Sequence, residues 1–545
     1  MSRAAVESRR PLLLVALLAL AVLAAGGALA LRVSGKDSVV LPVGSTYVEG
    51  VAGTWQRVNP LFATANEVDQ DLSQLIFSGL VRLGPDGLVQ PDLADLPELS
   101  EDGKVYTFHL RKNLKWHDGQ PLTSDDVAFT ISRVTSADFR GDASLAEAWA
   151  GVEVTTPNSS TVVLRLKQAS APFLARYATL GIVPQHLLAS LAPGALWDAP
   201  FNAMPVGSGP YRVQSLDSRE AVLVANPDYY SGRPAFDTVK LRFYTDYPSV
   251  IHALQEGEVN GVLVREFLSE GELAQLRAIR GVSVEQPQRA AYIALYLNND
   301  QALFQDQRVR QALSLAIDRA ALVQRVLGGN ATPSASAIPP GTWAYAPEWD
   351  VVKPNLEQAR KLLEDAGWHP HPTTGVLARE GTEFRFTIRT DSDPQRVAVA
   401  SELAHELEAL GIRATVASTT FSVLRRDFLQ ERKYDAAVAG WDQGADPDPY
   451  FGWHSSQLGA AGLNLANFAN PVVDELIARG RTRNDLDVRK DAYRQFQEKW
   501  AELTPSLVIA YPRYLYARTV AGKSAVAPVL VTPSQRFGDI ARWKP

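Results

Sequence analysis

Short β-like runs alternate with amphipathic helical runs along most of this 545-residue chain. The clearest example is residues 384–441, where "FRFTIRT", "IRATVAS" and "YDAAVAGW" are strand-like and the intervening "PQRVAVASELAHELEALG" has helical spacing. A shorter strand–helix–strand unit occupies residues 237–264. Because alternating strands and helices build sheets covered by helices, the sequence predicts an α/β fold.

The length of the chain exceeds what one hydrophobic core usually serves, which predicts two or three domains. With 46% hydrophobic and 21% charged residues the composition is that of a globular protein, and a net charge of −6 gives no basis for binding nucleic acid. The absence of cysteine excludes disulfides, thiolate metal sites, cysteine nucleophiles and an acylated cysteine anchor.

Residues 1–35 are predicted to be a signal or membrane-anchor segment. Arg9 and Arg10 precede an uncharged run of 20 residues, Leu12–Leu31. This run exceeds the roughly 7–15 residues of a cleavable signal core and reaches the ~20 residues that span a bilayer, whereas the Ala-Leu-Ala at 28–30 has the form of a cleavage site. Cleavage and retention both stay open, and either one places the bulk of the chain outside the cytoplasm.

One stretch, "GWDQGADPDPYFGWHSSQ" at residues 440–457, concentrates acidic, aromatic and glycine residues. It begins where the apolar strand 436–439 ends, and ligands of open α/β sheets bind beyond the carboxyl ends of the strands. Between Lys433 and Arg479 the chain has no lysine or arginine. The stretch is therefore expected to border a ligand crevice and to favour a cationic group, while an ordinary role of its two Trp in the core and its Asp in turns stays open.

No motif predicts a metal, a cofactor or a catalytic group. A calcium loop starting at Asp446 lacks the required Gly and Glu, and His454 has no second His nearby to complete a zinc site. The pair His405-Glu406 begins like a zincin helix but lacks its second His. Asp442 with Asp446 is the remaining acid–base arrangement, and a membrane-tethered hydrolase built on it is kept as an alternative.

From about Ser38 onward, a series of motifs covers nearly the whole chain in one order. In sequence they are "NPLFAT" (59–64), "DLSQLIFSGLV" (71–81), "YTFHLRKNLKWHDGQPLTSDDVAFT" (106–130), "PVGSGPYRV" (205–213), "ANPDYYSGRP" (225–234), "DQRVRQALSLAIDRAALV" (306–323), "DAGW" (365–368) and "YDAAVAGWDQGADPDPYFGWHSSQ" (434–457). The series resembles the family 5 extracellular solute-binding proteins, which are the oligopeptide, dipeptide and nickel receptors of ABC importers.

The resemblance implies a two-lobed periplasmic-binding-protein fold of type II, in which a hinge joins two α/β lobes and an extra domain is inserted in the first lobe. Transferred to this chain, lobe I is 36–82, 206–297 and 506–545, the inserted domain is 83–205, and lobe II is 298–505. The hinges are then expected near Asn298 and Pro505.

The resemblance also implies where a ligand lies. Peptide-binding members hold the ligand extended between the lobes and pair its backbone with exposed protein strands. The matching positions of this chain are Ala65, Asn66 and Glu67 in lobe I and Gly440, Trp441 and Asp442 in lobe II.

One departure from the family concerns the carboxylate that holds the ligand's ammonium group. Peptide-binding relatives often place this Asp three residues after the Trp, where this chain has Gly444. Asp442, Asp446 and Asp448 are the candidates for the role, with Asp446 favoured, and Tyr450 completes the predicted site. For the ligand's carboxylate no partner is assigned; Arg425 and Arg426 are candidates only.

The sequence therefore predicts an extracytoplasmic receptor, not an enzyme, that captures an oligopeptide and delivers it to the permease and ATPase of an ABC importer. The receptor is expected to be a monomer that needs no metal or cofactor and binds no nucleic acid. An oligosaccharide receptor of the same family stays open as well, because Trp441 and Trp453 offer flat faces for sugar rings.

Overall fold

The computed structural model describes residues 45–266, 268–350, 353–519 and 526–544. The predicted signal or anchor segment, residues 1–35, lies outside these ranges. Within the described part of the chain, no helix is both long enough and apolar enough to cross a membrane.

The strands follow the alternation that the sequence predicts, and both predicted strand–helix–strand regions are confirmed. In chain order the strands of the described residues are β1 (Thr46–Ala52), β2 (Val81–Leu83), β3 (Val89–Pro91), β4 (Glu98–Leu99), β5 (Val105–His109), β6 (Glu153–Asn158), β7 (Thr161–Arg165), β8 (Tyr211–Leu216), β9 (Glu220–Ala225), β10 (Thr238–Tyr244), β11 (Gly261–Val264), β12 (Val282–Glu285), β13 (Gln288–Arg289), β14 (Ala291–Leu297), β15 (Ala331–Pro333), β16 (His369–Pro370), β17 (Leu377–Arg379), β18 (Thr382–Glu383), β19 (Arg385–Asp391), β20 (Arg413–Thr419), β21 (Ala436–Asp442), β22 (Leu507–Pro512), β23 (Leu515–Thr519) and β24 (Val529–Leu530).

The α-helices lie between these strands and cover the faces of the sheets. In chain order those of the described residues are α1 (Glu67–Ile76), α2 (Ser124–Val134), α3 (Ala143–Trp149), α4 (Pro172–Arg176), α5 (Gln185–Leu188), α6 (Tyr247–Gln255), α7 (Glu270–Ala278), α8 (Gln307–Ala316), α9 (Arg319–Leu327), α10 (Leu356–Asp365), α11 (Pro394–Glu408), α12 (Phe421–Val423), α13 (Tyr450–Trp453), α14 (Pro471–Thr482) and α15 (Leu486–Leu503).

A seven-stranded sheet forms the first lobe, in the order β12-β23-β11-β1-β10-β9-β8. β1 lies between β11 and β10 and runs parallel to both, so the carboxyl ends of these three strands meet at one edge of the sheet. The chain leaves this edge in the connections from β1 to α1 and from β10 to α6 and, after β11, at Arg265. The edge therefore has the placement at which open α/β sheets bind ligands.

A six-stranded sheet forms the second lobe, in the order β15-β22-β14-β21-β19-β20. β14 is its central antiparallel strand, hydrogen-bonded to β21 on one side and to β22 on the other. All seven residues of β14 are buried, because helices and neighbouring strands cover both faces.

The strand pairing shifts the predicted hinges. β14 and β22 were assigned to lobe I by the boundaries at Asn298 and Pro505, but both strands hydrogen-bond within the second sheet. The chain therefore crosses between the sheets at 286–290 and at 513–514. A strand buried on both faces shows no polar alternation, so its sequence gives no sign of the sheet to which it belongs. The other predicted lobe boundaries stay predictions.

A smaller antiparallel sheet, β4-β5-β7-β6, occupies the predicted inserted domain. Its inward residues, such as Phe108 and Leu164, belong to the same apolar core as Leu72 and Leu75 of α1. This shared core fixes the inserted segment firmly against the first sheet, and its helix α4 lies at the second lobe's loop described below.

Buried charges attach the C-terminal segment to the first sheet. The Arg536 guanidinium donates from Nε to Glu49 Oε1 at 2.7 Å and from Nη2 to Asp71 Oδ2 at 2.6 Å. Tyr47 adds a hydrogen bond from its hydroxyl to Glu49 Oε2 at 2.6 Å. Because each charge has a bonded partner, this buried network holds segment 533–537 as a wall of the cavity between the lobes.

Candidate functional site

The predicted site in the second lobe begins at the carboxyl end of β21. Gly440, Trp441 and Asp442 lie opposite residues 291–293 of β14, with Asp442 directly opposite Ala291. Gly440 and Asp442 are exposed and Trp441 is half-buried. The other neighbour, β19, pairs with β21 only through its first two residues, 436 and 437. Among the described residues, the end of β21 is therefore paired along one edge and open along the other.

The two aspartates that follow do not face the crevice with free charges. Asp446 is 3% exposed, and both of its oxygens accept hydrogen bonds from Arg489, at 2.7 and 3.0 Å. Asp448 is 2% exposed and is paired with Arg481, while Tyr493 donates to its Oδ1 at 3.5 Å. The preference for Asp446 as the ammonium partner does not fit this geometry, because both carboxylates already have a guanidinium in contact.

The Asp446 pair is electrostatically strong. Burial alone lowers the pKa of Arg489, but the Asp446 carboxylate outweighs burial and raises that pKa above its ordinary value. Bidentate guanidinium–carboxylate pairs are among the strongest hydrogen-bonded pairs in proteins. The pair therefore fixes the loop rather than offering a charge to a ligand.

A third arginine reaches the same loop from the inserted segment. Arg176, the last residue of α4, donates from Nη2 to the carbonyl oxygens of Gln443, Asp446 and Asp448, at 3.0, 3.2 and 3.4 Å. Its guanidinium also lies 5.6 Å from the centre of the Phe451 ring. The loop 443–448 is thus held between arginines from three helices, the distant α4 and the consecutive α14 and α15.

The two tryptophans of the stretch have different environments. Trp453 is 1% exposed, stacks on Tyr296 at 5.9 Å between ring centres and meets Trp500 edge-on at 4.2 Å, so it is a core residue. Trp441 is half-buried, and Gly452 lies beside its ring, where a Cβ would come within 3.5 Å. Of these two tryptophans, Trp441 is the one with an accessible face.

Tyr450 contributes to the loop's packing. The Arg481 guanidinium lies 4.2 Å above its ring, and its hydroxyl accepts a hydrogen bond from Ser456 Oγ at 2.9 Å. The Tyr450 amide donates to Asp448 Oδ1 at 3.2 Å. The residue is half-buried and belongs to the same set of contacts as Asp448.

The predicted first-lobe residues form the start of α1. Ala65 is exposed, and Asn66 caps the helix by accepting from the Asp69 amide at 3.1 Å while its Nδ2 donates to Thr54 O at 3.1 Å. Glu67 is ion-paired with Arg265, which follows β11. Asn66 is thus used for local structure, and Glu67 has its countercharge in the same lobe.

Asp442 lies in the electrostatic neighbourhood of Tyr514, at a crossing between the lobes, and Glu67 adjoins this neighbourhood through its ion pair with Arg265. Burial raises the pKa of Tyr514, the charges of Arg289 and Arg265 lower it, and the charge of Asp442 raises it. Asp442 has no ion pair and no side-chain hydrogen bond among the described residues. Of the predicted carboxylates, Asp442 is the one that lies exposed and without a countercharge in contact.

A cavity of about 630 Å³ lies next to this neighbourhood, between the two lobes and the inserted segment. Its walls include Thr64, Arg176, Ala290, Trp343 and Gly444. None of the nine predicted site residues lines it, but Thr64 directly precedes Ala65 and Gly444 follows Asp442 by two positions. Cavities of this size, at the boundary between domains, are typical of ligand sites.

The three arginines that hold the loop were missed by sequence reasoning. The lack of lysine and arginine between 433 and 479 is a true local property, yet Arg481 and Arg489 come from just beyond that segment and Arg176 lies 267 residues before Gln443. Arg426, a sequence candidate for a ligand's carboxylate, pairs instead with its exposed neighbour Asp427. In the described ranges, no cluster of three or more His, Asp or Glu is arranged to hold a metal ion.

Comparison with known proteins identifies a family for this chain. The family described as "Bacterial extracellular solute-binding proteins, family 5 Middle" matches residues 89–462. The oligopeptide-binding protein AppA of Bacillus subtilis (strain 168) is 29% identical over 506 residues, 91% of this chain and 91% of its own length. Protein XP55 of Streptomyces lividans is 32% identical over 459 residues, 83% of this chain and 80% of that protein.

A solved structure is similar over nearly the whole chain. The oligopeptide-binding protein AppA from Bacillus subtilis, in complex with a nonapeptide, has a TM-score of 0.66 to this chain at 27% identity, covering 92% of this chain and 99% of that one. The likeness confirms the predicted α/β fold of two lobes.

Proposed function

The chain belongs to the family 5 bacterial extracellular solute-binding proteins, and from this premise we propose that it captures oligopeptides in the cleft between its two lobes. It does so as the extracytoplasmic substrate-binding protein of an ABC importer, and it passes the peptide to that importer's permease and ATPase. The similarity to an oligopeptide-binding protein over 91% of the chain supports the peptide assignment.

The observation that carries the proposal is the open edge at the end of β21. Gly440, Trp441 and Asp442 pair with β14 but not with β19. Alternate residues of such a strand end point their N–H and C=O groups away from the paired neighbour. An extended peptide satisfies these groups by adding a strand, which gives affinity without selecting side chains.

Asp442 takes the role of ammonium partner in this proposal. Its carboxylate is exposed at the open strand end and has no ion pair among the described residues, whereas Asp446 and Asp448 are held by Arg489 and Arg481. A peptide's α-ammonium placed there forms a charge-assisted hydrogen bond, which is stronger when the lobes exclude water.

Two observations weigh against the two alternatives. A sugar receptor with two stacking rings requires Trp453 to be accessible, and that ring is buried against Tyr296 and Trp500. A hydrolase using Asp442 and Asp446 requires both carboxylates at one substrate, and Asp446 is bonded to Arg489 through both oxygens. A monomeric state is part of the proposal and is tested by sedimentation.

Calorimetry with a pool of synthetic peptides three to nine residues long tests the function, together with mass spectrometry of any ligand that co-purifies. Heat of binding for peptides, but not for oligosaccharides of similar mass, is the expected result. If neither the peptide pool nor the co-purified fraction contains a bound peptide, the proposed function is wrong.

The role of Asp442 is tested on a peptide that binds. Asp442→Asn is expected to weaken binding of the free-amine peptide by about 10–100-fold, because a hydrogen bond to a charged group contributes about 1.5–3 kcal/mol. N-acetylation of the peptide should weaken binding to the unaltered protein similarly and should add little in the variant.

Asp138→Asn, at an exposed aspartate in the inserted segment, is the matched control and should bind like the unaltered protein. Equal loss on acetylation in both proteins would remove Asp442 from this role.

A further inference from the structure

Arg289 is a guanidinium without a countercharge at the point where the chain crosses between the sheets. It is the last residue of the short strand β13, and β14 begins two residues later, at Ala291. Its Nε is buried and has no hydrogen-bond partner, and no carboxylate lies within ion-pair distance of it among the described residues. A partly buried guanidinium in this condition lacks the planar, two-pronged partner that its geometry fits.

The positive charges around Arg289 are not all paired with carboxylates. Its guanidinium lies 5.2 Å from the centre of the Tyr514 ring, and a side-chain hydrogen bond from Arg289 lowers the pKa of Tyr514, so this neutral ring is its neighbour on one side. Arg265, whose partner is Glu67, lies nearby: burial lowers the pKa of Arg265, Tyr514 and Glu266 raise it, and the charges of Arg289 and Arg536 lower it. The Nε of Arg265 also lacks a hydrogen-bond partner. Of these two guanidinium groups, Arg265 has Glu67 in contact and Glu266 farther away, whereas Arg289 has no ion pair among the described residues and is the one free to bind an additional anion.

The position of Arg289 relates it directly to the proposed ammonium site. Ala291 lies opposite Asp442 in the β14–β21 ladder, and the Gln443 amide donates to Ala290 O at 2.8 Å. Arg289 therefore precedes by two positions the residue that lies opposite Asp442, and the charges of both Arg289 and Asp442 act on the pKa of Tyr514. The two opposite charges do not pair with each other, so each is available to one end of a short zwitterionic unit.

We propose that Arg289 is a carboxylate-binding and specificity-determining residue of the cleft, which selects peptides that carry a carboxylate within a few ångströms of the ammonium group held by Asp442. This inference rests on the proposed peptide function. An extended chain advances about 3.4 Å per residue, so the carboxylate belongs to the first two residues of the ligand. It is either the C-terminal carboxylate of a dipeptide or the side chain of Asp or Glu in a longer peptide.

Two matched pairs of ligands separate these sources in calorimetry with the full chain. The first pair is the dipeptide Ala-Ala and its C-terminal amide. The second pair is Ala-Glu-Ala-Ala-Ala amide and its Gln counterpart. The unaltered protein is expected to bind the carboxylate member of at least one pair tenfold or more tightly. A preference within the first pair assigns the terminal carboxylate, and one within the second pair assigns the acidic side chain.

Substitution of Arg289 decides whether the preference belongs to this residue. Arg289→Gln is expected to reduce the preference to less than twofold, and Arg289→Lys to restore part of it because the charge returns without the two-pronged geometry. Arg389→Gln is the matched control, since Arg389 also lies over an aromatic ring, Phe428 at 3.8 Å, but sits in β19 beside Ala437, away from the strand end. Thermal melting of each variant checks that it is folded.

The outcomes for this inference and for the proposed function are distinguishable. If the protein binds both members of both pairs equally, or if Arg289→Gln keeps the full preference, Arg289 does not bind the carboxylate although the peptide function stands. Loss of the preference in Arg389→Gln as well would show an indirect effect and would also overturn the inference. If no probe binds and the pool of peptides fails too, the peptide function itself is wrong and this inference fails with it.

Discussion

The acidic stretch consists of two regions that differ in how their charge is balanced. At the strand end, residues 440–442, the one carboxylate is exposed and has no countercharge in contact. In the loop 443–450, both carboxylates are buried and paired with arginines, and a further arginine binds three of the loop's carbonyl oxygens. A segment of uniform negative composition thus contains a rigid, neutralised part and a short open part. The open part is the one available for a ligand.

The largest expected effect is on the free energy of unfolding, which should be sensitive to substitutions in the loop 443–450 but not at the strand end 440–442. Arg489→Met leaves the Asp446 carboxylate buried without a partner, and removal of one member of a buried pair costs about 3–5 kcal/mol. Urea unfolding should show this loss in the free energy of unfolding. Asp442→Asn, in the open region, should change it by less than about 0.5 kcal/mol.

Two further variants control this comparison. Arg479→Met removes an exposed ion pair with Asp491 from the same region of sequence and should cost at most about 1 kcal/mol. The double variant Arg489→Met with Asp446→Asn should recover part of the loss, because the neutral amide has no buried charge to compensate. A loss below 1 kcal/mol for Arg489→Met alone would show that the pair does not hold the loop.

Asp92 sharpens the comparison, because it is a buried carboxylate without a contacting arginine. It lines the cavity and accepts hydrogen bonds from the Tyr230 hydroxyl and the Gly79 amide. Burial raises its pKa to about 6, and these hydrogen bonds, with the more distant Arg82, offset only part of the effect. A pKa above the unfolded value means that the folded state binds the proton more tightly.

The pH dependence of the free energy of unfolding follows from the direction of this pKa shift. The contribution of Asp92 is fully present below about pH 4 and is lost as the pH rises through 6, by about 3 kcal/mol at most, since one pKa unit corresponds to about 1.4 kcal/mol. Asp92→Asn should therefore make the free energy of unfolding less dependent on pH between 4 and 7, as measured by urea unfolding. Asp138→Asn should leave the dependence unchanged. If the free energy of unfolding of Asp92→Asn depends on pH as steeply as that of the unaltered protein, the raised pKa does not belong to Asp92.

The parts of the site that the sequence predicts are those made by local contacts. The strand that ends at Asp442 and the helix that begins after Asn66 follow from hydrophobic alternation and from a capping residue, which depend on neighbours a few positions away. The motif series then identifies the family and, through it, the two-lobed fold. These predictions need no knowledge of distant contacts.

The neutralisation of the loop is not predictable in this way. Arg489 is 43 residues from Asp446 in the sequence, and Arg176 is 267 residues from Gln443. A local count of charges omits partners that tertiary folding brings in. The sequence alone therefore overstates the unbalanced negative charge of the loop. The crossings between the lobes escaped prediction for a related reason, because β14 is buried on both faces and carries no alternation.

The smallest expected effect concerns the arginine that joins the inserted segment to the loop. The three carbonyl contacts of Arg176 exist only while the inserted segment and the second lobe are together, so they favour the arrangement that encloses a ligand. Arg176→Gln should weaken peptide binding by about 3–10-fold, since a net hydrogen bond from a charged group in this geometry is worth about 1 kcal/mol or more. The melting temperature without ligand should change little.

Arg133→Gln is the matched control, because Arg133 also donates to a carbonyl, that of Ala189 at 3.4 Å, but within its own segment. Equal affinities of Arg176→Gln and the unaltered protein would mean that the contact does not contribute to enclosure, and a matching loss in Arg133→Gln would assign the effect to the inserted segment's own stability.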